Sequence, residues 1–445
     1  MLASLLVSIS VAAVPPTFPY ERFEKKLDNG LRVVVVPTDQ SGFFALYELV
    51  GTGSRDEVEP GHSGFAHFFE HIMFRGTKRF PADKRVALLS SLGVDEGGYT
   101  TDDFTGYSLI GPKEGLKSIF ELEADRYANL EYSEDDFKTE SRAVLGEYNK
   151  NFANPDEKAF EALSDLAFDK HTYKHTTMGF LKDIERMPKE YKYSREFFKK
   201  FYTPDNVMLV VAGDVDVAAV HALAAASFGG WKGTRAKTVV EDEPGLAAER
   251  RKAIGWENPT EDRLHVGWRV SSSVDDPRQA ALGMLLKSYL FSDSSDLTKA
   301  VVIGEQLAES VECSWEWHKD ASLFAVAAKI KEGKSAEDVL ARIQQQLDNV
   351  SLGKINDRRL ADVKSNLRYS LLMNLTSAEN IGGTLAWLSG PAMDTSFVDA
   401  VYGALGEVGP KDLQDMAKTR FGAQQRAIVT LKHEARAAKK EEGAK

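Results

Sequence analysis

Two histidines and a glutamate share the run His67-Phe68-Phe69-Glu70-His71. On a helix, His67 and His71 project from one face about one turn apart. That spacing lets two imidazoles share one tetrahedral metal ion. Glu70 lies three residues after the first histidine and one before the second, so it can reach water at such a metal without ligating it. The order H-x-x-E-H inverts the commoner H-E-x-x-H, and both serve zinc-dependent hydrolysis. A bland alternative is a histidine pair decorating a helix, a chance match on the order of one in a hundred for such a chain. Phe65, Phe68 and Phe69 argue against it, because they place the helix inside the protein. Two unligated imidazoles and a carboxylate would be costly to bury there. A metal removes that cost.

A hydrolytic zinc wants a third protein ligand and an open position for water. Cys313 is the only cysteine, which excludes an intrachain disulfide and a thiolate cluster. Ligands must therefore be His, Asp or Glu. Ser133, with Asp136 three residues on, has the pattern of a capped helix running to about Phe152. That helix carries Glu140 and Glu147, seven apart and nearly in line on one face. Spacing alone does not choose between them.

The elements that must hold these groups follow from hydrophobic periodicity. Residues 23–36 read as two strands about a turn at Asp28-Asn29-Gly30, and 44–50 as a third. Ser63 is the expected N-cap of the metal helix, which ends at Gly76. Residues 100–110 read as extended, Leu116 to Tyr127 as helical, and 207–211 as a buried strand. Strands at 263–270, 311–316, 322–329 and 426–431, with helices at 276–291, 336–350 and 358–375, then repeat the cycle. The expected class is α+β: two related α/β-sandwich halves, each a mixed, mostly antiparallel sheet packed with helices. The boundaries are a metal-bearing domain at 18–235, a linker at 236–262 and a related domain without the metal motif at 263–432. A charged tail follows at 433–445.

A length of 445 residues suits two domains. With 43% apolar and 28% charged residues the composition is ordinary for a globular protein. A formal charge of -11 disfavours nucleic-acid binding. Residues 1–13 form an apolar run with Val11-Ala12-Ala13 as a cleavage site, the pattern of a secretory leader. It implies a periplasmic or secreted protein; without it the location is cytoplasmic. No later stretch reaches the ~18 apolar residues of a membrane helix, so no stable membrane insertion is expected.

Residues 64–77, GFAHFFEHIMFRGT, resemble the signature of the pitrilysin family of inverted-motif zinc metallopeptidases. Within it, the chain is similar to the short-chain branch that includes mitochondrial processing peptidase. Asn29-Gly30-Leu31, His171-Thr172-Tyr173, Thr203-Pro204-Asp205-Asn206 and Gly213-Asp214 extend the likeness over most of 28–214. From Arg263 onward it is faint. The resemblance implies one zinc per chain, held by His67, His71 and Glu147. Glu70 is then the general base that activates water and passes its proton to the leaving amine, and Glu140 orients a ligand histidine. Peptide substrate would add as a strand along Gly98, Tyr99, Thr100 and Thr101, with 100–105 as the sheet edge. The family's Asn-Ala-x-Thr is here Gly97-Gly98-Tyr99-Thr100, which lacks the amide side chain. Active members also carry an arginine and, seven residues later, a tyrosine that hold the substrate. Val302 and Glu309 stand at those positions, and neither can donate to a substrate carbonyl. Arg186/Tyr193 and Arg195/Tyr202 repeat the spacing but read as surface and packing residues. The chain is thus expected to be half of a clam-shell dimer, a zinc endopeptidase subunit with a homologous zinc-free partner supplying the clamp. The alternatives are a self-sufficient homodimer and a non-catalytic scaffold or chaperone-like subunit.

Overall fold

The computed structural model describes residues 18–39 and 42–434; the segment 1–13, expected to be a leader, and nearly all of the charged tail lie outside them. The first sheet holds β1 (Phe23–Lys26), β2 (Arg32–Pro37), β3 (Phe43–Val50), β4 (Asp95–Thr100), β5 (Thr105–Pro112) and β6 (Val207–Gly213). Their order is β1-β2-β6-β3-β5-β4. Only β2 and β6 run parallel. Both faces of this sheet are buried: Val33 and Val35 enter one core, Val34 and Val36 another. That double burial explains the unbroken β-branched run of β2.

The second sheet holds β7 (Arg250–Trp256), β8 (Arg263–Val270), β9 (Ala308–Ser314), β10 (Ser322–Ile330) and β11 (Arg426–His433), ordered β7-β11-β8-β10-β9. Here β7 and β11 run parallel and the remaining pairs antiparallel. Setting β1 aside, the two sheets have one topology. The duplication is plain in the strand order, although the residues show no repeat.

On the first sheet's outer face lie α1 (Phe65–Ile72), α2 (Ala82–Leu92), α3 (Leu116–Asn129) and α4 (Glu134–Asn151). The other face is covered by a helix of the second half, Ala378–Ser389, which packs on β3 and β6. The exchange is reciprocal. α5 (Pro155–Ala167) belongs in sequence to the first half, yet packs on β7, β8 and β11 of the second.

Three expectations are corrected. The span 100–110 is not one strand but a hairpin, with β4 ending at Thr100 and β5 starting at Thr105. Gly97 and Gly98 hide β4 from a β-propensity reading. Thr101 closes the turn: its hydroxyl accepts from Phe104 N (3.0 Å) and Asp103 N (3.2 Å). The linker at 236–262 contains β7, so the second sheet begins before Arg263. Between the helix Asp357–Asn374 and β11 stand the helices Ala378–Ser389, Ser396–Glu407 and Pro410–Arg420, beyond the elements expected from the sequence.

Candidate metal centre

α1 does not start as expected. Ser63 is no cap: its hydroxyl donates to Asp183 Oδ2 (2.7 Å) and accepts from Phe180 N (2.9 Å). Gly64 stands at the N-cap with φ +88° and no capping side chain. A Cβ there would strike Ile184 and sit 2.9 Å from the Met178 carbonyl, so both backbone shape and space demand glycine. The free amides at this end turn to a distant carboxylate. Gly64 N and Ala66 N each donate to buried Glu57 at 2.7 Å. Burial pushes the Glu57 carboxyl up, and those two donors pull it back. No capping pattern in the sequence contains Glu57.

Phe65, Phe68, Phe69 and Ile72 anchor α1 in the core. Its other face turns His67, Glu70 and His71 towards α4 and a cleft. His67 Nε2 and His71 Nε2 stand 3.3 Å apart. Glu147 Oε2 is 3.6 Å from the first and 3.3 Å from the second. Two atoms each about 2.0–2.1 Å from a tetrahedral zinc lie about 3.3–3.4 Å from one another. The triangle has about the dimensions of one face of a zinc tetrahedron, so the donor set fits the ion. Among the described residues no other group of His, Cys, Asp and Glu meets this test.

The flanking carboxylates are ordered differently. Glu140 Oε2 lies 3.5 Å from His71 Nδ1, behind the ring, and Glu140 also pairs with Arg75. This pairing with His71 lowers the Glu140 carboxyl and raises the His71 imidazole. Burial, and then the neighbouring His71, holds His67 down to about 4, so its nitrogen is free to bind a metal. Glu70 Oε2 is 4.0 Å from His67 Nε2, beside the triangle and outside it. Thr100 Oγ1 on β4 donates to that same oxygen at 2.7 Å. Burial raises the Glu70 carboxyl, while the Thr100 bond opposes the rise.

A cleft of about 750 Å³ opens over these groups. Gly98, Tyr99, Thr100 and Thr101 all line it, the first three on β4, which is the outermost strand of its sheet. Thr101 belongs to the following turn, so the open edge is 95–100 and not 100–105. Glycine at 98 has a packing reason, since a Cβ would lie 3.1 Å from Glu70 Cγ and 3.2 Å from Phe74. Val302, in a wide helical turn, and exposed Glu309, on β9, do not line the cleft. Arg186 bonds the Gly61 carbonyl (2.6 Å), Tyr193 stacks on His62, and Tyr202 meets Tyr107 at 2.7 Å. These are packing roles, as expected of them.

One polar cluster had no signal in the sequence. The loop between β9 and β10 grips the turn between β4 and β5. His318 Nε2 meets Asp102 Oδ2 (3.1 Å), and Lys319 N donates to Asp103 Oδ2 (3.0 Å). Tyr173 donates to the other Asp103 oxygen (2.6 Å), and Asp320 joins Arg55 and His171. Against the cost of burial, the Asp102 bond and the two aspartate charges push His318 up to about 9.

Known proteins resemble this chain over most of its length. A family model described as insulinase (peptidase family M16) matches residues 33–180, and one described as the peptidase M16 inactive domain matches 190–367. Zinc protease PqqE of Helicobacter pylori is 26% identical over 387 residues, covering 86% of each chain. The crystal structure of a protease from Helicobacter pylori superposes with a TM-score of 0.86 at 26% identity, over 93% of this chain and 99% of that one. A probable mitochondrial-processing peptidase subunit beta of Arabidopsis thaliana is 24% identical over 385 residues, 81% of this chain and 69% of its own.

Proposed function

This chain belongs to the M16 peptidase family of insulinase and pitrilysin, and on that premise we propose that it is the zinc-bearing subunit of an endopeptidase acting on peptides or unfolded polypeptides. The observation that carries the reading is the donor triangle of His67, His71 and Glu147, with Glu70 beside it. The second half matches the model described as inactive, in keeping with its lack of a metal motif.

Zinc held by those three residues would supply Lewis acidity to water and to the scissile carbonyl. Glu140 fixes the His71 ring so that Nε2 stays aimed at Glu147. Glu70 takes the proton from the attacking water and delivers it to the leaving amine. Its burial makes it a stronger base than an exposed glutamate, and Thr100 holds its orientation. The peptide extends the sheet at the free edge of β4, where Gly98, Tyr99 and Thr100 offer backbone partners.

Val302 and Glu309 leave the substrate without a donor at those positions, which supports a homologous, zinc-free partner that supplies it. A relative named as a subunit supports the same reading. The apolar segment 1–13 supports a place in the periplasm or outside the cell.

The test measures bound zinc per chain, then cleavage of an unfolded polypeptide by the chain alone and with homologous chains of the same organism. One zinc per chain and activity that appears only with a homologue is the expected result. Full activity of the chain alone at high dilution removes the partner clause, and wild-type activity in Glu70→Gln removes the mechanism.

A further inference from the structure

Successive side chains of a strand point to opposite faces of its sheet. On β4, Gly98 and Thr100 face α1: a Cβ at 98 would touch Glu70, and the Thr100 hydroxyl binds the Glu70 carboxylate. Tyr99 faces the other way. Its ring lies over Gly106, whose Cβ position it occupies, and packs on Phe104 with ring centroids 5.8 Å apart. It meets Trp387 at 5.3 Å. Trp387 belongs to the helix Ala378–Ser389 of the second half and remains 41% exposed. Behind it, Phe104 fills the space a side chain at Gly390 would need, so the aromatic group is seated against bare backbone. Met284, Leu367 and Leu388 line the same cleft.

A peptide paired on the free edge of β4 alternates in the same way. Its side chains in line with Gly98 and Thr100 point towards the metal-binding face, and those in line with Tyr99 point towards Trp387. We infer that the Tyr99–Trp387 wall is a specificity subsite for one bulky apolar side chain of the bound peptide, aromatic or leucine-like. The inference rests on the peptidase reading above and adds the side-chain class. Polar groups near the wall are engaged elsewhere: Lys287 donates to the Trp315 carbonyl (3.2 Å), His318 meets Asp102 (3.1 Å), and Tyr173 donates to Asp103 (2.6 Å). What faces the peptide is apolar surface, and covering it is favourable in proportion to the area removed from water. An indole offers that area with little rotamer freedom to lose.

The test uses the full chain carrying Glu70→Gln, so that bound peptide stays intact, with any partner the activity requires. A short peptide is scanned position by position with Phe, Leu, Ala and Asp, and its affinity is read by fluorescence anisotropy. At one position Phe and Leu should bind about 10-fold or more tighter than Ala, the discrimination usual for an apolar pocket. Trp387→Ala should bring that ratio near 1. Trp387→Lys should turn the preference towards Asp, which loss of packing alone would not do. Trp387→Phe keeps the contacts with Tyr99 and Phe104 and should retain the apolar preference; it serves if the alanine variant fails to fold. An unchanged preference in Trp387→Lys, or no position preferring an apolar residue, overturns the inference. Cleavage of the same peptides by the wild-type chain separates the two claims. Apolar selectivity in binding with no cut peptide defeats the peptidase reading alone, and cleavage with selectivity indifferent to Trp387 defeats the subsite alone.

Discussion

α1 and the helix Pro277–Phe291 hold the same place in the chain order of the two halves, α1 following β3 and preceding β4 as Pro277–Phe291 follows β8 and precedes β9. The second-half helix is built for stability. Asp276 caps it, accepting from Arg278 N at 3.0 Å, Pro277 sits in its first turn, and Ala281, Leu285 and Leu286 fill its buried side. α1 is shorter, starts at a left-handed glycine, borrows its cap from Glu57 and brings His67 and His71 together with Glu147. One framework thus carries a packing helix in one half and a chemical helix in the other. On the proposed reading, the helix that carries the chemistry is the one whose local cap is replaced by a distant carboxylate.

The largest expected effect breaks the chemistry and leaves the framework alone. Glu70→Gln should lower kcat by about 10²–10⁴-fold, the usual worth of a positioned acid–base group. Zinc content should stay at one per chain, because Glu70 stands outside the donor triangle. Peptide cleavage with metal analysis on the same sample checks both. Loss of zinc would move Glu70 into the ligand set. Glu140→Gln should do the reverse, weakening zinc binding about 10–100-fold by releasing His71 Nδ1, as measured by competition with a chelator.

Removing zinc tests whether the two helices differ in what they need. At a free zinc concentration about 100 times Kd, binding adds about 2.7 kcal/mol to the folded state. Amide exchange should quicken in α1 and α4 on chelation, and stay unchanged in Pro277–Phe291. The caps give a further contrast. Glu57→Ala strands two buried amides and should cost about 1–3 kcal/mol. Asp276→Ala exposes one amide at a helix start and should cost about 1 kcal/mol. Equal losses in denaturant melts would erase the proposed asymmetry.

The same contrast governs what the sequence reveals. His67, Glu70 and His71 are legible because their geometry is set within one helical turn, and the Ser133–Asp136 capping box marks the helix that brings Glu140 and Glu147. Buried strands such as β2 announce themselves by Val33 to Val36. Long-range contacts leave no such trace. Glu57 lies seven and nine residues before the two amides it caps, outside α1, so the pattern points to Ser63 instead. Gly97-Gly98 concealed the edge strand that packs closest to Glu70, and β7 passed as linker because a charged edge strand resembles one. The swap of α5 and Ala378–Ser389 between sheets is a tertiary arrangement that the periodicity of neither helix records.

The smallest expected effect concerns the clasp that joins the unequal halves. Asp102 and Asp103 raise His318 in the folded protein to about 9, well above the ordinary ~6.5 of an exposed imidazole. A group raised on folding binds its proton more tightly in the native state. Its contribution is therefore complete below about pH 6.5 and disappears as pH climbs through about 9. Asp102 is held below the usual carboxylate range, against its burial, chiefly by His318, so an acid limit exists too: its share is lost as pH falls below the ordinary aspartate value of about 3.9. The difference in Tm between the wild type and His318→Gln should be widest near pH 5–6.5 and close towards about pH 10. A difference that is flat across that range would mean that the second half holds the β4–β5 turn by shape and backbone bonds such as Lys319 N to Asp103, without help from the charge on His318.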